Sequence, residues 1–239
     1  MKTALVTGAS TGIGAALSTT LLETGWRVYG IARSAARVEA IADADSGGEL
    51  IPISVDLSDI AAVTAFCDNL ADLTERLDLL ANIAGVWHGT DEAYYGPLLP
   101  DVPTEQLLNV MNVGIMAPLL LAKSAARIMR EAKRGQVLNL SGTFNSGRSG
   151  WIHYFTSKRA LEQMTMALAD ELRSSGVRVN CISPADTATE AYVRFFPEDA
   201  VGALEPAEIA RLALALQEAP EFRHVSGQII EIRSYTPSE

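Results

Sequence analysis

Short apolar runs rich in β-branched residues alternate along the chain with longer segments in which apolar residues recur at helical spacing. After the first run, Ile13, Ala16, Leu17 and Leu21 fall on one helical stripe, and Gly25 follows as a stop. This alternation predicts βαβ units, in which helices cover both faces of a parallel sheet. Seven strands are expected, at Thr3–Val6, Arg27–Ile31, Leu50–Val55, Leu77–Asn82, Gln136–Leu140, Val177–Ile182 and Gln228–Ile232.

No linker, repeat or shift of charge divides the chain, so we predict a single α/β domain over residues 1–239, a Rossmann-like doubly wound sheet. The longest predicted loops, 86–103 and 187–206, both follow strand ends. Because ligands of open α/β sheets bind outside the carboxyl ends of the strands, these loops are expected to shape a substrate pocket. Candidates for an aromatic-walled pocket are Trp87, His88, Phe144, Trp151, His153 and Tyr192, with core packing as the alternative.

Composition narrows the classes of function. A formal net charge of −10 over 239 residues opposes binding to nucleic acid or to an anionic membrane. Cys67 and Cys181 are far apart and form no CxxC pair, which predicts a reducing compartment and no metal site. The apolar run at residues 4–6 is too short for a secretory signal, and no window is expected to reach the roughly 20 apolar residues of a membrane span. We therefore expect a cytoplasmic protein with a small-molecule substrate.

A glycine-rich turn, Thr7-Gly8-Ala9-Ser10-Thr11-Gly12-Ile13-Gly14, joins the first predicted strand to the first predicted helix. Gly8 allows a tight turn, Gly12 lets a pyrophosphate approach the backbone, and Gly14 permits close contact between helix and sheet. The N-terminus of the helix then faces the anion. The alternative is a tight turn without a ligand, which the strand before and the helix after make less favoured.

The TGxxxGxG spacing of this turn resembles the short-chain dehydrogenase/reductase family rather than the GxGxxG of other Rossmann enzymes, and further segments agree along nearly the whole chain. Asp56, in Val55-Asp56-Leu57, matches the family's adenine-contacting acid, although alone it could equally be a turn or N-cap acid. Asn82-Ile83-Ala84-Gly85 matches the family's NNAG segment, with Ile83 in place of the second Asn. The resemblance implies hydride transfer between a nicotinamide and a carbonyl or alcohol carbon, with cofactor contacts from Gly8, Ser10, Thr11, Gly12, Ile13, Gly14, Asp56, Asn82, Ala84 and Gly85.

The end of the second strand bears on the choice of cofactor. An NAD enzyme would carry a carboxylate about 20 residues beyond the glycines to bind the ribose hydroxyls. This chain has Ile31-Ala32-Arg33-Ser34 there, and a guanidinium can pair with a 2′-phosphate through two hydrogen bonds. We therefore predict NADP(H), with NAD less favoured; a solvated loop cation is the alternative for Arg33.

Tyr154-Phe155-Thr156-Ser157-Lys158 matches the family's YxxxK motif, and its i, i+4 spacing places Tyr154 and Lys158 on one helix face. A tyrosine has a pKa of about 10, and a nearby cation can lower it by about 1–3 units. The resemblance implies that Tyr154 is the general acid/base, and that Lys158 lowers the pKa of Tyr154 and binds the nicotinamide ribose. Asn112 matches the family asparagine that helps relay protons through water; its alternative is a helix kink or a buried amide.

The family's catalytic serine has two possible counterparts. Family members usually contain N-h-S-S at this strand end, whereas this chain has Asn139-Leu140-Ser141-Gly142, so strand alignment puts Gly142 at the catalytic place. Counting back the family spacing from Tyr154 selects Ser141, which requires the next loop to absorb a one-residue shift. We favour Ser141, with Thr143 second and Ser146 a distant third; the alternative is that Ser141 merely ends the strand.

Asn180-Cys181-Ile182-Ser183-Pro184-Ala185 resembles the family's NxxxPG segment, with Ala185 replacing glycine. The resemblance places Pro184, Thr187 and Thr189 near the nicotinamide, while Asp186 is unusual there and has no assigned role. The departures from the family pattern keep open a catalytically impaired dinucleotide-binding regulator, and an epimerase or dehydratase is a further alternative. The family commonly pairs two long helices across a two-fold axis, so a homodimer or homotetramer is expected through residues 104–130 and 156–174.

Overall fold

A computed structural model describes residues 1–41, 47–143 and 149–233 of the chain. Its seven strands form one parallel sheet in the order β3-β2-β1-β4-β5-β6-β7, which confirms the predicted doubly wound α/β fold. Each predicted strand is present, with its ends displaced by two residues at most. The strands are β1 (Thr3–Thr7), β2 (Arg27–Ala32), β3 (Glu49–Ser54), β4 (Leu79–Asn82), β5 (Gly135–Leu140), β6 (Val177–Pro184) and β7 (Ile229–Ile232).

Helices cover both faces of this sheet. Helix α3 begins where the Asp59 carboxylate accepts hydrogen bonds from two backbone N–H groups, and α9 begins at a capping box formed by Glu205 and Glu208. A π-helical turn, Asn112–Met116, joins α5 to α6. The helices are α1 (Gly12–Glu23), α2 (Ala35–Glu39), α3 (Ile60–Asp68), α4 (Leu70–Leu73), α5 (Thr104–Met111), α6 (Ala117–Ala132), α7 (Ile152–Leu172), α8 (Glu190–Phe195) and α9 (Pro206–Glu218).

The sheet separates two hydrophobic cores. Leu5 of β1 packs in the core that includes residues of α3, α6 and α7, while its neighbour Val6 packs in the core that includes residues of α1 and α9. Side chains alternate between the faces of a strand, so a strand covered on both faces needs apolar residues at successive positions. This is why the predicted strands are nearly continuous apolar runs.

One helical segment is more apolar than the sequence analysis expected. Residues Thr104–Ala132 span 29 residues with a window of mean hydropathy 1.4, enough by length and composition to cross a membrane. Val113, Leu121 and Met129 of this segment are buried in the core beneath α6. The expectation that no window reaches this length was therefore wrong; 44% of the window is buried, on the face that packs against the core.

The two predicted substrate loops contain more regular structure than expected. Residues 86–103 include an antiparallel bridge between His88 and Ala93. Residues 187–206 contain α8, which begins where the Thr189 hydroxyl accepts a hydrogen bond from the Tyr192 N–H at 3.2 Å. Arg194 of α8 joins the two segments, since it donates to the Thr90 carbonyl at 2.9 Å and pairs with Asp91 at 3.1 Å.

Candidate active site

The glycine turn connects β1 to α1 at the carboxyl edge of the sheet. Gly8 and Gly12 have φ angles of +69° and +54°, left-handed values that favour glycine. A Cβ atom on Gly14 would collide with the Gly8 carbonyl oxygen, so α1 begins in direct backbone contact with the turn. The Thr11 side chain does not cap α1, and the first turn of the helix carries no acid. The first N–H groups of α1 are thus suited to an external anion such as pyrophosphate.

Thr7, which the sequence analysis missed, ties the glycine turn to the segment after β4. Its hydroxyl accepts hydrogen bonds from the N–H groups of Ile83 at 3.0 Å and Ala84 at 3.1 Å. A Cβ atom on Gly8 would lie 3.2 Å from the Cα of Ala84. The backbone around Ala84 and Gly85 therefore lies against the glycine turn, beside the predicted cofactor cleft. The signal in the sequence is a hydroxyl residue at the strand end, directly before the first glycine.

The Asn82 side chain faces the protein interior. It is buried, and its Nδ2 donates to the Asn139 Oδ1 at 2.9 Å, while Asn139 donates in turn to the Thr165 hydroxyl at 2.9 Å. These bonds join β4, β5 and α7. The amide of Asn82 therefore joins the strands under the site through its Nδ2, while its buried Oδ1 has no partner among the described residues. The contact between Asn82 and the cofactor stays a prediction.

Arg33 and Asp56 follow adjacent strands, β2 and β3. Arg33 is exposed and forms no ion pair with the described residues. The Asp56 carboxylate accepts hydrogen bonds from the Ser58 N–H at 2.9 Å and hydroxyl at 2.7 Å. Burial acts to raise the pKa of Asp56, but these bonds and the charge of Arg33 outweigh it, and the pKa lies below its usual value. Asp56 is therefore an ionised turn acid, and its contact with adenine stays a prediction.

Tyr154 and Lys158 lie together in the first two turns of α7. The Lys158 Nζ is 5.4 Å from the centroid of the Tyr154 ring and donates to the Leu140 carbonyl at 2.8 Å. A Cβ atom on Gly85 would lie 3.1 Å from this Nζ, so the lysine reaches the segment after β4. Burial lowers the pKa of Lys158 to about 8. The predicted pair is thus brought together beside the predicted cofactor cleft.

The pKa of Tyr154 is shifted in the direction opposite to the prediction. Burial raises it, and the negative charge of Asp186 raises it further. The Lys158 ammonium, which donates to the Leu140 carbonyl, does not reverse these two effects. Tyr154 is therefore protonated at neutral pH, and in this state it can donate a proton.

The Ser141 hydroxyl, the predicted catalytic group, is engaged by another residue in this structure. Pairing with β6 continues past the end of β5 without a shift, since the Ser141 N–H donates to Ile182 at 2.8 Å and the Thr143 N–H to Pro184 at 2.9 Å. The buried Ser141 hydroxyl donates to the Glu162 Oε1 at 2.6 Å and so faces the interior. The loop that would have to absorb the one-residue shift lies partly outside the described residues.

Thr143 is the better-placed hydroxyl. Its Oγ1 is buried, and it has no hydrogen-bond partner within residues 1–41, 47–143 and 149–233. A buried polar atom without a partner is costly and is expected to acquire one. The third candidate, Ser146, lies outside the described residues.

Glu162 is a buried acid that the sequence analysis also missed. Besides Ser141, it accepts a hydrogen bond from Arg159 at 2.5 Å and lies 3.5 Å from the Ser183 hydroxyl. Its spacing in the sequence could have revealed it, because Glu162 stands four residues beyond Lys158 and therefore on the same helix face. The carboxylate links β5, β6 and α7 behind the lysine.

Asn112 begins the π-helical turn between α5 and α6. Its carbonyl accepts from the Ala117 N–H, and its Nδ2 donates to the Ser58 carbonyl at 2.9 Å. Gly114 of the same turn packs against α7, where an added Cβ atom would lie 2.9 Å from the Ser157 hydroxyl. The helix irregularity that was the alternative for Asn112 is thus present, next to the helix that carries Tyr154. Its part in a proton relay stays a prediction.

The segment after β6 returns to the glycine turn. β6 ends at Pro184, and the Thr187 hydroxyl donates to the Ala185 carbonyl at 3.0 Å. A Cβ atom on Gly12 would lie 2.9 Å from the Thr189 methyl group. Thr189 therefore covers the glycine turn while it caps α8, which places this segment over the cleft.

An aromatic cluster lies beside Tyr154 and consists of Trp87, His88, Tyr95, Trp151, Tyr192, Phe195 and Phe196. The ring centroid of Trp87 is 5.9 Å from those of Phe195 and Phe196 and 6.1 Å from that of Tyr192. Trp151 connects the cluster to Tyr154 at 5.8 Å. The rings are partly or fully exposed rather than in the core. Tyr95, Phe195 and Phe196 were not among the predicted pocket residues, and Phe144 lies outside the described residues.

His153 is a packing residue, as expected for the neighbour of Tyr154 on a helix. It is buried, and its Nε2 lies 3.0 Å from the Gln106 Nε2 of α5. Burial lowers the pKa of His153, so the ring is neutral at neutral pH. The imidazole faces α5 rather than the site.

Comparison with known proteins agrees with this geometry. Residues 2–199 match the family model described as short chain dehydrogenase. A 3-oxoacyl-[acyl-carrier-protein] reductase from Synechocystis is 28% identical over 97% of this chain and 95% of its own. Carbonyl reductase family member 4 from Danio rerio is 30% identical over 96% of this chain and 95% of its own. A Burkholderia cenocepacia short chain dehydrogenase solved with NADP is 28% identical, with a TM-score of 0.84 over 98% of this chain and 96% of that one.

A seven-stranded parallel sheet with a glycine turn after β1 and a Tyr/Lys pair on α7 defines an oxidoreductase of the nicotinamide-dependent type. The chain belongs to the short-chain dehydrogenase/reductase family. Solved members of this fold hold NADP or NADH, and the two curated relatives above are a 3-oxoacyl-[acyl-carrier-protein] reductase and a carbonyl reductase.

Proposed function

We propose that this protein is an NADP(H)-dependent carbonyl reductase with Tyr154 as its general acid. The observation that carries the proposal is the placement of Tyr154 next to Lys158, whose ammonium reaches the segment after β4 that packs against the glycine turn. A protonated tyrosine suits reduction, which requires a proton on the carbonyl oxygen as hydride reaches the carbon.

The described residues fit a dinucleotide phosphorylated on its ribose. The first N–H groups of α1 suit the pyrophosphate, and Arg33, without an ion pair to any described residue, suits the 2′-phosphate. Lys158 would hold the nicotinamide ribose. When bound, the nicotinamide supplies the hydride for reduction or accepts it in the reverse reaction.

Three residues of the chain then act on the carbonyl group of the substrate. Tyr154 donates its phenolic proton to the oxygen, Thr143 donates a hydrogen bond to the same oxygen, and Lys158 contributes positive charge behind the tyrosine. The direct test is consumption of NADPH with a panel of aldehydes and ketones, followed by absorbance. Turnover with NADPH supports the proposal, whereas cofactor binding without turnover on any carbonyl contradicts it.

A catalytically impaired dinucleotide-binding regulator is the second candidate. It is favoured by Gly142 at the family's serine position and by a Ser141 hydroxyl already bonded to Glu162. In that case NADP would bind with full affinity, and the carbonyl panel would show no turnover.

We predict unequal effects from removing the two hydroxyls of this strand end. Thr143→Val should lower kcat by about tenfold or more, because it removes the donor to the substrate oxygen. Ser141→Ala should change kcat by less than about threefold but lower the thermal midpoint, because it leaves the buried Glu162 carboxylate with one partner fewer. Steady-state kinetics and thermal unfolding of both variants are the measurements. A larger loss of kcat in Ser141→Ala than in Thr143→Val would show that Ser141 is the hydroxyl that binds the substrate oxygen.

We predict that kcat/KM for reduction falls as the pH rises through about 8, the pKa of Lys158. Burial lowers this pKa, so the ammonium loses its charge at a lower pH than an ordinary lysine, whose pKa is about 10.4. Lys158→Arg should be slower overall but flat across the same pH range, since a guanidinium stays charged. The measurement is the pH profile of kcat/KM for the wild type and for Lys158→Arg. If kcat/KM falls in parallel in both proteins, the titrating group is not Lys158.

We also propose a homo-oligomer, dimer or tetramer, in the cytoplasm. Exposed apolar side chains on α5, α6 and α7 support the oligomer, since Leu108, Leu119 and Met166 are 58%, 44% and 37% exposed. These helices are the ones that the family resemblance implies at the two-fold axis.

A further inference from the structure

Asp186 is an exposed acid held at the mouth of the site. It follows β6 directly, and its backbone carbonyl accepts a hydrogen bond from the Leu204 N–H at 2.9 Å, which fixes this part of the chain. Besides burial, the negative charge of its carboxylate raises the pKa of the Tyr192 hydroxyl and that of the Tyr154 hydroxyl. No ion pair among the described residues includes Asp186. Among the described residues, the Asp186 carboxylate thus lies near Tyr154 without a cation paired to it.

The aromatic cluster adjoins Tyr154 and contains Tyr192. Tyr192 packs against Trp87 at 6.1 Å and Phe196 at 5.4 Å between ring centroids, and Trp151 lies between Trp87 and Tyr154. Ring faces carry partial negative charge and attract a desolvated cation, with tryptophan the strongest. An acid combined with several partly exposed rings is the arrangement that binds quaternary ammonium groups in proteins.

The charged groups nearby favour a cation over an anion. Arg194 is the cation of α8, but it pairs with Asp91 at 3.1 Å and lies over the Phe195 ring at 5.1 Å, on the outer side of the cluster. Asp199 adds a second negative charge near Tyr192. Lys158 is engaged by the Leu140 carbonyl behind Tyr154. The charge of Asp186 would therefore repel a substrate carboxylate beside the carbonyl. Among the described residues around the aromatic cluster, no cation is free to bind that carboxylate.

We infer that the substrate of this site carries an ammonium group close to its carbonyl, bound by Asp186 and the rings of Trp87, Trp151 and Tyr192. The inference rests on the proposed carbonyl reductase activity and adds to it the class of substrate, a cationic amino ketone or amino aldehyde. Asp186 acts here as a specificity residue. Hydride still goes to the carbonyl carbon, and the proton still comes from Tyr154.

The test uses three ketones of matched shape with NADPH and the full-length protein: a trimethylammonio ketone, its neutral tert-butyl isostere, and a keto carboxylate of similar length. We expect kcat/KM for the ammonium ketone to exceed that for the neutral isostere by about tenfold or more, with the keto carboxylate slowest. Asp186→Asn should reduce the ammonium-to-neutral ratio by about tenfold. Glu190→Gln, which removes the same charge four residues along the chain, should leave that ratio unchanged.

A ratio near one in the wild type, or a ratio unaltered by Asp186→Asn, overturns the inference. A variant that slows both ketones equally would also do so, because Asp186 would then act on the cofactor or on Tyr154 rather than on the substrate cation. If none of the ketones is reduced, the proposed reductase activity is wrong, but this result does not bear on the cation site. The cation site is then tested by quenching of tryptophan fluorescence with phenyltrimethylammonium, which should bind the wild type and lose affinity about tenfold in Asp186→Asn; no difference between the two overturns the site.

Discussion

Replacing Tyr154 with phenylalanine is expected to lower kcat by about 10²–10⁴-fold, the usual contribution of a general acid. The substitution deletes only the oxygen that donates the proton, and the ring keeps its contacts with Trp151 and the Lys158 ammonium. The affinity for NADPH should therefore change by less than about threefold. Single-turnover kinetics and a fluorescence titration with NADPH measure the two quantities separately.

Lys158→Ala is the companion variant that tests the division of roles. It removes the proposed ribose contact together with the positive charge near the tyrosine, so both kcat and the affinity for NADPH should fall. A Tyr154→Phe protein with the rate of the wild type would show that the proton comes from another group. Loss of cofactor affinity in Tyr154→Phe would instead indicate that the ring, rather than the hydroxyl, is what the site requires.

Replacing Arg33 with aspartate is expected to reverse the preference between NADPH and NADH. A charge-assisted hydrogen bond contributes about 1.5–3 kcal/mol, so its loss alone removes about one to two decades from the NADPH preference. The new carboxylate also repels the 2′-phosphate and can accept hydrogen bonds from the ribose hydroxyls of NADH. The ratio of kcat/KM for the two cofactors is the measurement.

Arg37→Asp provides a matched control for this reversal. Arg37 is exposed on α2, four residues further along, and its substitution changes the net charge by the same amount. We expect its effect on the cofactor ratio to be well below that of Arg33→Asp. A shift of less than about threefold in Arg33→Asp, under about 1 kcal/mol, would mean that Arg33 does not discriminate between the cofactors.

The sheet could be predicted because it follows from local pattern. Successive apolar residues such as Leu5 and Val6 indicate a strand buried on both faces, and the glycine turn is visible at residues 8–14. The placement of Tyr154 and Lys158 needed only helical spacing. These features depend on neighbours in sequence, and one chain contains all of that information.

The unpredicted features depend on contacts between distant segments. Whether Ser141 faces the substrate is decided by the pairing of β5 with β6 and by Glu162, which lies 21 residues away. The direction of the Tyr154 pKa depends on burial and on Asp186, 32 residues further along the chain. Spacing within a motif cannot reveal either, because both follow from how α7 and the segment after β6 pack together.

The ion pair between Arg194 and Asp91 is one of several contacts between residues 86–103 and α8. Both side chains are mostly exposed, at 58% and 83%, and an exposed pair contributes only about 0–1 kcal/mol and is screened by salt. The Trp87 ring packs against the rings of Phe195 and Phe196 across the same boundary, and salt does not screen such contacts. The aromatic rings, rather than the charges, therefore hold the two predicted substrate segments together.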